Sequence, residues 1–187
     1  MFIHISGASG SGKTTLLAKL TIWCKEHKIT AGFTDADDIV AHIMSQIDTM
    51  PDATDAAKGK AFEHLLTTRL RTLVESKPIY IIAGLLDTVF GGVVYYARMN
   101  PDHKFYIKIK DSVLLKQYLH RIVSLLADQN YQTQLLTGAA SIVFDRDSLL
   151  KWAYDTHDVY CGTLHYDWLS SDQILKKCTT AIKAYRR

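Results

Sequence analysis

Hydrophobic positions change period several times along the chain, and the changes mark out alternating strands and helices. Phe2-Ile3-His4-Ile5 is a short apolar run, after which Leu16, Leu17, Leu20 and Trp23 recur at helical spacing; a strand followed by a helix from Lys13 to about His27 is predicted. An apolar segment from Ile29 to Phe33 leads into Thr34-Asp35-Ala36-Asp37-Asp38, and Ile39, Val40, Ile43 and Met44 resume the helical period, giving strand, acidic turn and helix. Residues 48–60 read as a polar loop with Pro51, Asp52, Asp55 and Gly59, and a helix from about Ala61 to Glu75 carries the stripe Phe62, Leu65, Leu66, Leu70 and Leu73. Pro78 to Ala83 is a continuous apolar run of the kind a central parallel strand requires, ending at Gly84-Leu85-Leu86-Asp87.

A weaker helical segment is expected over Thr88 to Arg98, interrupted by Gly91-Gly92, with a turn at Asn100-Pro101-Asp102. Lys104 to Lys110 alternates as a strand, and Asp111 or Ser112 caps a helix to about Ala127. Residues 128–145 are polar and without regular period, as lids and binding loops often are. A helix from about Arg146 to Tyr160, a short strand from Tyr166 to Leu169 and a helix from Ser171 to Tyr185 complete the chain. Five strands alternating with helices predict an α/β fold, a five-stranded parallel sheet covered by helices on both faces through right-handed crossovers.

Composition narrows the class. The 187 residues, 48% of them hydrophobic, suffice for one well-buried domain, so the chain is read as a single domain over 1–187. Lys and Arg number 22 against 19 Asp and Glu, and the scattered basic residues give no reason to propose nucleic-acid or membrane binding. Cys24, Cys161 and Cys178 are odd in number and widely spaced, which reads as free thiols in a reducing compartment. With the first strand starting at residue 2 and no apolar run approaching a membrane span, a soluble cytoplasmic protein is expected.

The candidate chemistry begins where the first strand ends. Gly7-Ala8-Ser9-Gly10-Ser11-Gly12-Lys13-Thr14 is the G-x-x-x-x-G-K-[ST] pattern of a phosphate-binding loop, in the strand-loop-helix context that the pattern requires. Its glycines let backbone N–H groups turn inward and, with the helix N-terminus, cradle the phosphates of a nucleotide. Lys13 then reaches the β- and γ-phosphates and the Thr14 hydroxyl ligates Mg²⁺, so the candidate ATP-binding residues run from Gly7 through Thr14 to Thr15.

The acidic turn is a second candidate, because it lies at the carboxyl end of a strand beside the loop, the side on which open parallel sheets bind ligands. Asp as an N-cap accounts for one of its three acids and leaves two to explain. Arg69 falls within the apolar stripe of its helix while Arg71 falls opposite, so Arg69 either meets a buried acid or reaches toward an anionic or hydroxylated ligand. Acceptor binding is slightly favoured, since the stripe faces the strand that ends at Gly84, itself a candidate substrate-side residue.

Taken together, the loop, the acidic turn and the segment 128–145 resemble the P-loop small-molecule kinases, the group holding shikimate kinase, nucleoside monophosphate kinases and dephospho-CoA kinase. Phe33-Thr34-Asp35-Ala36-Asp37 looks like the F-x-D-x-D turn of shikimate kinase, and Asp35-Ala36-Asp37 like the D-A-D of dephospho-CoA kinase. Ile107 to Arg121 is similar to the strand and L-L-x-R-L-x-x-R helix preceding the lid, and Arg146-Asp147 to the R-x-D-D start of the helix after it. The resemblance implies a P-loop kinase-like fold, Asp35 as a holder of Mg²⁺ and its waters, Asp37 in contact with the acceptor hydroxyl, and Arg121 and Arg146 near the transferring phosphate. The chain also departs from these relatives. Ala83 stands where nucleoside monophosphate kinases have an Mg²⁺-linked acid, and Gly84-Leu85-Leu86 does not reproduce the three glycines of the shikimate pocket. The 128–145 segment has no arginine, leaving Arg121, Arg146 or Lys116 to supply the charge.

Phosphoryl transfer needs mainly positioning and charge stabilisation, for which each part has a candidate here: loop and Lys13, Thr14 with Asp35 for metal, Asp37 for the acceptor, Arg121 and Arg146 over the phosphate. The expectation is an ATP- and Mg²⁺-dependent kinase of a small-molecule acceptor, with a nucleoside or nucleotide favoured over a shikimate- or sugar-type hydroxyl compound. A P-loop ATPase or GTPase switch is the rival of another class, disfavoured by the absence of an L-S-G-G-Q stretch, a Walker B Asp-Glu strand and an N-K-x-D motif. A nucleic-acid end kinase is disfavoured by the lack of an added basic surface.

Overall fold

The computed structural model describes residues 1–126 and 165–186. Five strands form one parallel sheet: β1 (Phe2–Ser6), β2 (Gly32–Asp35), β3 (Tyr80–Ala83), β6 (His103–Ile107) and β7 (Asp167–Leu169), in the order β2-β3-β1-β6-β7. The five-stranded parallel α/β architecture expected from the hydrophobic pattern is the one found.

Helices cover both faces. Alternate strand residues point to opposite sides, so Ile3, Ile5, Ile81, Ala83, Phe105 and Ile107 join the stripe Leu16, Leu17, Leu20 and Cys24 of α1 (Lys13–Glu26). Ile174, Cys178 and Ile182 of the C-terminal helix α5 (Ser171–Tyr185) complete that core. Phe2, Tyr80, Ile82 and Tyr106 face the other way, onto α2 (Ala36–Ile47) and α3 (Asp55–Glu75). Burial on both faces explains why β1 and β3 read as continuous apolar runs. The helix α4 (Asp111–Leu126) follows β6. Cys24 and Cys178 are free, buried thiols. No described helix is long and apolar enough to cross a membrane.

Two expectations need correction. The segment 88–98 is a β-hairpin, β4 (Asp87–Phe90) and β5 (Val93–Tyr96), paired antiparallel with Asp87 opposite Tyr96 and Phe90 opposite Val93. Gly91 and Gly92 take φ of 55° and 78°, the left-handed pair that a two-residue hairpin turn demands; they connect two strands where an interrupted helix was expected. The second correction concerns α3, which starts at Asp55 and not near Ala61, because Thr54 caps it by accepting a 3.3 Å hydrogen bond from the Ala57 N–H. The expected helix over 146–160 and the irregular segment 128–145 lie outside the described residues.

The hairpin docks on α3 through Phe90 against Phe62, with ring centroids 6.4 Å apart, and through Tyr95 over Gly59. A Cβ at residue 59 would come within 2.2 Å of the Tyr95 ring. Gly59→Ala should therefore destabilise the protein by about 1–3 kcal/mol through overpacking, although alanine alone favours a helix by about 1 kcal/mol. Urea unfolding checks this, and adding Tyr95→Ala should remove most of the Gly59→Ala effect if the ring contact is its cause.

Candidate active site

The loop after β1 is shaped by its glycines. Gly10 and Gly12 hold φ of 80° and 91°, Gly12 acts as the left-handed N-cap of α1, and the Ser11 N–H donates to the Ala8 carbonyl at 3.0 Å. Lys13 opens α1 and donates its Nζ to the Gly7 and Ala8 carbonyls at 2.8 and 3.1 Å, which folds the ammonium back over the loop. The Ser11 hydroxyl is buried without a hydrogen-bond partner.

Asp35 ends β2 and caps α2. Its Oδ1 accepts from the Asp37 N–H at 3.2 Å, and its Oδ2 accepts from the Thr14 hydroxyl at 2.9 Å. The capping role weighed against function is real, and the second oxygen is turned to the loop. Thr14 and Asp35 thus place two hard oxygen donors side by side, the donor type Mg²⁺ takes. Gly10, Gly12, Lys13, Thr14 and Thr15 line a cavity of about 270 Å³ together with Asp37 and Gln117. Asp37, in the first turn of α2, is exposed to solvent there.

Gly84 joins the strand ends. Its N–H donates to the Ile5 carbonyl at 3.0 Å, and its own carbonyl accepts from His4 Nε2 at 3.0 Å. A Cβ at residue 84 would sit 2.8 Å from Ala36 Cβ and 3.3 Å from Asp35 Oδ1, and φ of 131° disfavours any side chain there. His4 is wholly buried, and burial holds its imidazole down at about 4 against an ordinary 6.5. The neutral ring has its proton on Nε2, facing the Gly84 carbonyl, so Nδ1 accepts from the Tyr166 hydroxyl.

Arg69 does not fit the expectation built on it. The helix buries Gly59, Phe62, Leu66 and Leu70, while Leu65 and Leu73 are only partly covered, and Arg69 is exposed. Giving Leu65 and Leu73 equal weight had drawn the stripe toward residue 69; its buried axis runs about 65° away at 100° per residue. Neither a buried ion pair nor an inward acceptor contact applies to this residue. Arg121 falls on α4, with its side chain beyond what is described, and Arg146 lies outside the described residues.

Gln117 and Asp87 are not among the residues that the sequence singles out. Gln117 on α4 borders the cavity, at the place where the L-L-x-R-L-x-x-R pattern has its first arginine. Asp87, just past β3, is only 4% exposed, and no other described residue bonds either carboxylate oxygen. Burial pushes its carboxyl up from 3.8 to about 7. The signal available in sequence was a lone acid directly after a fully apolar strand.

A larger depression, about 570 Å³, lies between β6, β7 and α5 and shares no residue with the loop. Its lining includes His103 and the Lys177–Asp167 ion pair of 2.8 Å, and none of the residues that the sequence singles out for chemistry.

In overall shape the chain is similar to a shikimate kinase from Acinetobacter baumannii solved in complex with shikimate, at 16% identity over 98% of this chain and 93% of that one, with a TM-score of 0.45. It is also similar to a gluconokinase from Sinorhizobium meliloti, at 17% identity over 86% of this chain and 96% of that one, with a TM-score of 0.37. No protein-family model and no curated protein matches the chain. The fold is an α/β fold with a five-stranded parallel sheet and a glycine loop between its first strand and first helix.

The two buried titrating groups bend stability in opposite directions. Folded Asp87 keeps its proton up to about 7 whereas the unfolded carboxyl loses it near 3.8, so stability falls as pH rises through that window. Folded His4 stays neutral down to about 4 whereas the unfolded ring charges near 6.5, so stability falls as pH drops through that window. Between about pH 4 and 6.5 the slopes offset, and unfolding free energy should be nearly flat in the wild type. Asp87→Asn should uncover the His4 slope, a rise on the order of 3 kcal/mol from pH 4 to 6.5, read by denaturant titration across that range.

Proposed function

We propose that the protein is an ATP- and Mg²⁺-dependent kinase that phosphorylates a small-molecule hydroxyl acceptor, with a nucleoside or nucleotide favoured. The observation that carries this is the 2.9 Å contact between Thr14 Oγ1 and Asp35 Oδ2, which ties the phosphate loop to the acidic end of β2 beside the cavity where Lys13 and Asp37 meet. A loop built only to turn the chain would not require an acid from another strand at its threonine.

Thr14 and Asp35 would hold Mg²⁺, which when bound neutralises charge on the β- and γ-phosphates. Backbone N–H groups of Gly10 to Lys13 and the N-terminus of α1 bind the phosphates, and Lys13 exchanges the loop carbonyls for phosphate oxygens. Asp37 orients the acceptor. The acceptor oxygen forms a bond to the γ-phosphorus, the bond from that phosphorus to the β,γ-bridging oxygen breaks, ADP leaves with the electron pair, and the hydroxyl proton passes to the Asp37 carboxylate. Gln117 offers a neutral amide to the nucleotide side of the cavity, where an arginine would bring charge.

Lys13→Ala should lower turnover by at least about a hundredfold and weaken ATP binding in a titration. Retained turnover would sink the kinase assignment. Asp35→Asn and Asp37→Asn should separate in steady-state kinetics of ADP release: the first raises the Mg²⁺ concentration needed for half-maximal rate, and the second lowers kcat with little change in the KM for ATP. Two variants with normal rates would leave the acids as helix-capping groups only.

A further inference from the structure

We infer that Asp87 binds the acceptor and that the acceptor it selects is an uncharged nucleoside, not a phosphorylated or carboxylate-bearing compound. This rests on the kinase reading for where an acceptor goes, and on the exits of two neighbouring strands. β1 and β3 are paired side by side, yet the chain leaves β1 for α1 on one face of the sheet and leaves β3 for the hairpin on the other. Adjacent strands with opposite exits open a crevice at their carboxyl ends, the place where sheets of this kind take ligands. The phosphate loop forms one wall of that crevice. The segment from Gly84 to Asp87 forms the other.

Asp87 is held firmly on its wall. The Ala97 N–H donates to the Leu86 carbonyl at 3.1 Å, and Asp87 pairs with Tyr96 across the hairpin. In that register Thr88, Phe90 and Tyr95 share the face that packs on α3, and Asp87 shares the opposite face with Val89, Val94 and Tyr96. Tyr96, opposite Asp87, still packs by its ring on the cluster that α2 and α3 share. The Asp87 carboxyl is 4% exposed, and among the described residues no other residue bonds either oxygen, an arrangement that costs stability until a donor arrives. A hydrogen-bond donor on the acceptor would satisfy it.

Charge decides which donor. Asp35, Asp37 and Asp38 stand at the neighbouring end of β2, so a second phosphate or a carboxylate on the acceptor would be brought toward three acids. A nucleoside brings hydroxyl and amino donors without negative charge. Asp87 accepts a hydrogen bond from one of these and takes no proton, since the attacking hydroxyl gives its proton to Asp37.

The test uses adenosine, cytidine, uridine and thymidine, their 5′-monophosphates, and shikimate as probes. Melting temperature is read with each probe alone, and ADP release with each probe plus Mg-ATP, for wild type, Asp87→Asn and Asp87→Leu. At least one nucleoside should raise the wild-type melting temperature and be phosphorylated, while the monophosphates and shikimate do neither. Asp87→Asn should keep the KM for ATP and raise the nucleoside KM at least about tenfold, because its neutral amide oxygen accepts the same hydrogen bond more weakly than a carboxylate does. Asp87→Leu should melt higher than wild type, because an orphaned acid is replaced by an apolar group, and lose the nucleoside-induced shift; should it fail to fold, Asp87→Asn carries the test. Turnover of a monophosphate or shikimate leaves the kinase reading standing and overturns the inference. An Asp87-dependent nucleoside shift without ADP formation does the reverse. The inference also falls if no nucleoside shifts the melting temperature, or if the nucleoside KM is unchanged in Asp87→Asn.

Discussion

Gly84 is the point on which the ligand side of the sheet depends. Its N–H is bonded to β1, its carbonyl to His4, and its bare α-carbon lies against Ala36 and the Asp35 carboxylate. Any side chain there would press on the turn that carries Asp35, and Asp35 is the residue that reaches Thr14. Three strand ends are thereby locked to one another by a single residue that has no side chain of its own. The spacing between loop, β2 acids and β3 exit follows from backbone contact, which is stiffer than side-chain packing and lost less easily to thermal motion.

Under this junction lies a polar cluster that an entirely apolar core would not contain. His4 occupies an interior strand position and is tolerated because both ring nitrogens are bonded, to Gly84 and to Tyr166. Tyr166 comes just before β7, so the ring also ties the far side of the sheet, reached late in the chain, to the exit of β3. The tautomer fixed by the Gly84 carbonyl keeps the imidazole from serving as a base toward the crevice, which makes His4 a positioning group for the junction. A charged ring at this position would leave a second N–H aimed at a hydroxyl already donating, and burial opposes that charge as well.

Much of this was legible from residue order alone, and the exceptions have physical causes. β1 and β3 announce themselves because strands buried on both faces are apolar runs, and the phosphate loop because only a few residue types can hold its backbone. The hairpin was misjudged since Gly91-Gly92 breaks a helix and makes a two-residue turn equally well; the β-branched and aromatic residues on either side, Thr88, Val89 and Phe90 and then Val93 to Tyr96, were the deciding signal. Gly59 reads as a loop residue because glycine is a poor helix former, whereas in α3 its lack of a side chain makes room for Tyr95. Arg69 went wrong by a fraction of a turn. The Asp35 contact with Thr14 is not legible in the sequence, since no local pattern tells which strand end a threonine will meet.

Asp87 and Asp35 show two ways an acid can be kept at one end of a sheet. Asp35 has both oxygens engaged and lies at a helix N-terminus, where the backbone dipole favours a negative charge, and its Oδ2 is turned to Thr14. Asp87 has no such support and is withdrawn from water, so its charge is weakly favoured and its oxygens seek a donor. Removing a polar group of that kind is one of the simpler routes to a more stable protein, and nothing in the hairpin or in α3 needs the carboxyl for its own packing. An acid withdrawn from water in the segment that follows β3, as the phosphate loop follows β1, is the kind of group that a donor on a ligand would satisfy.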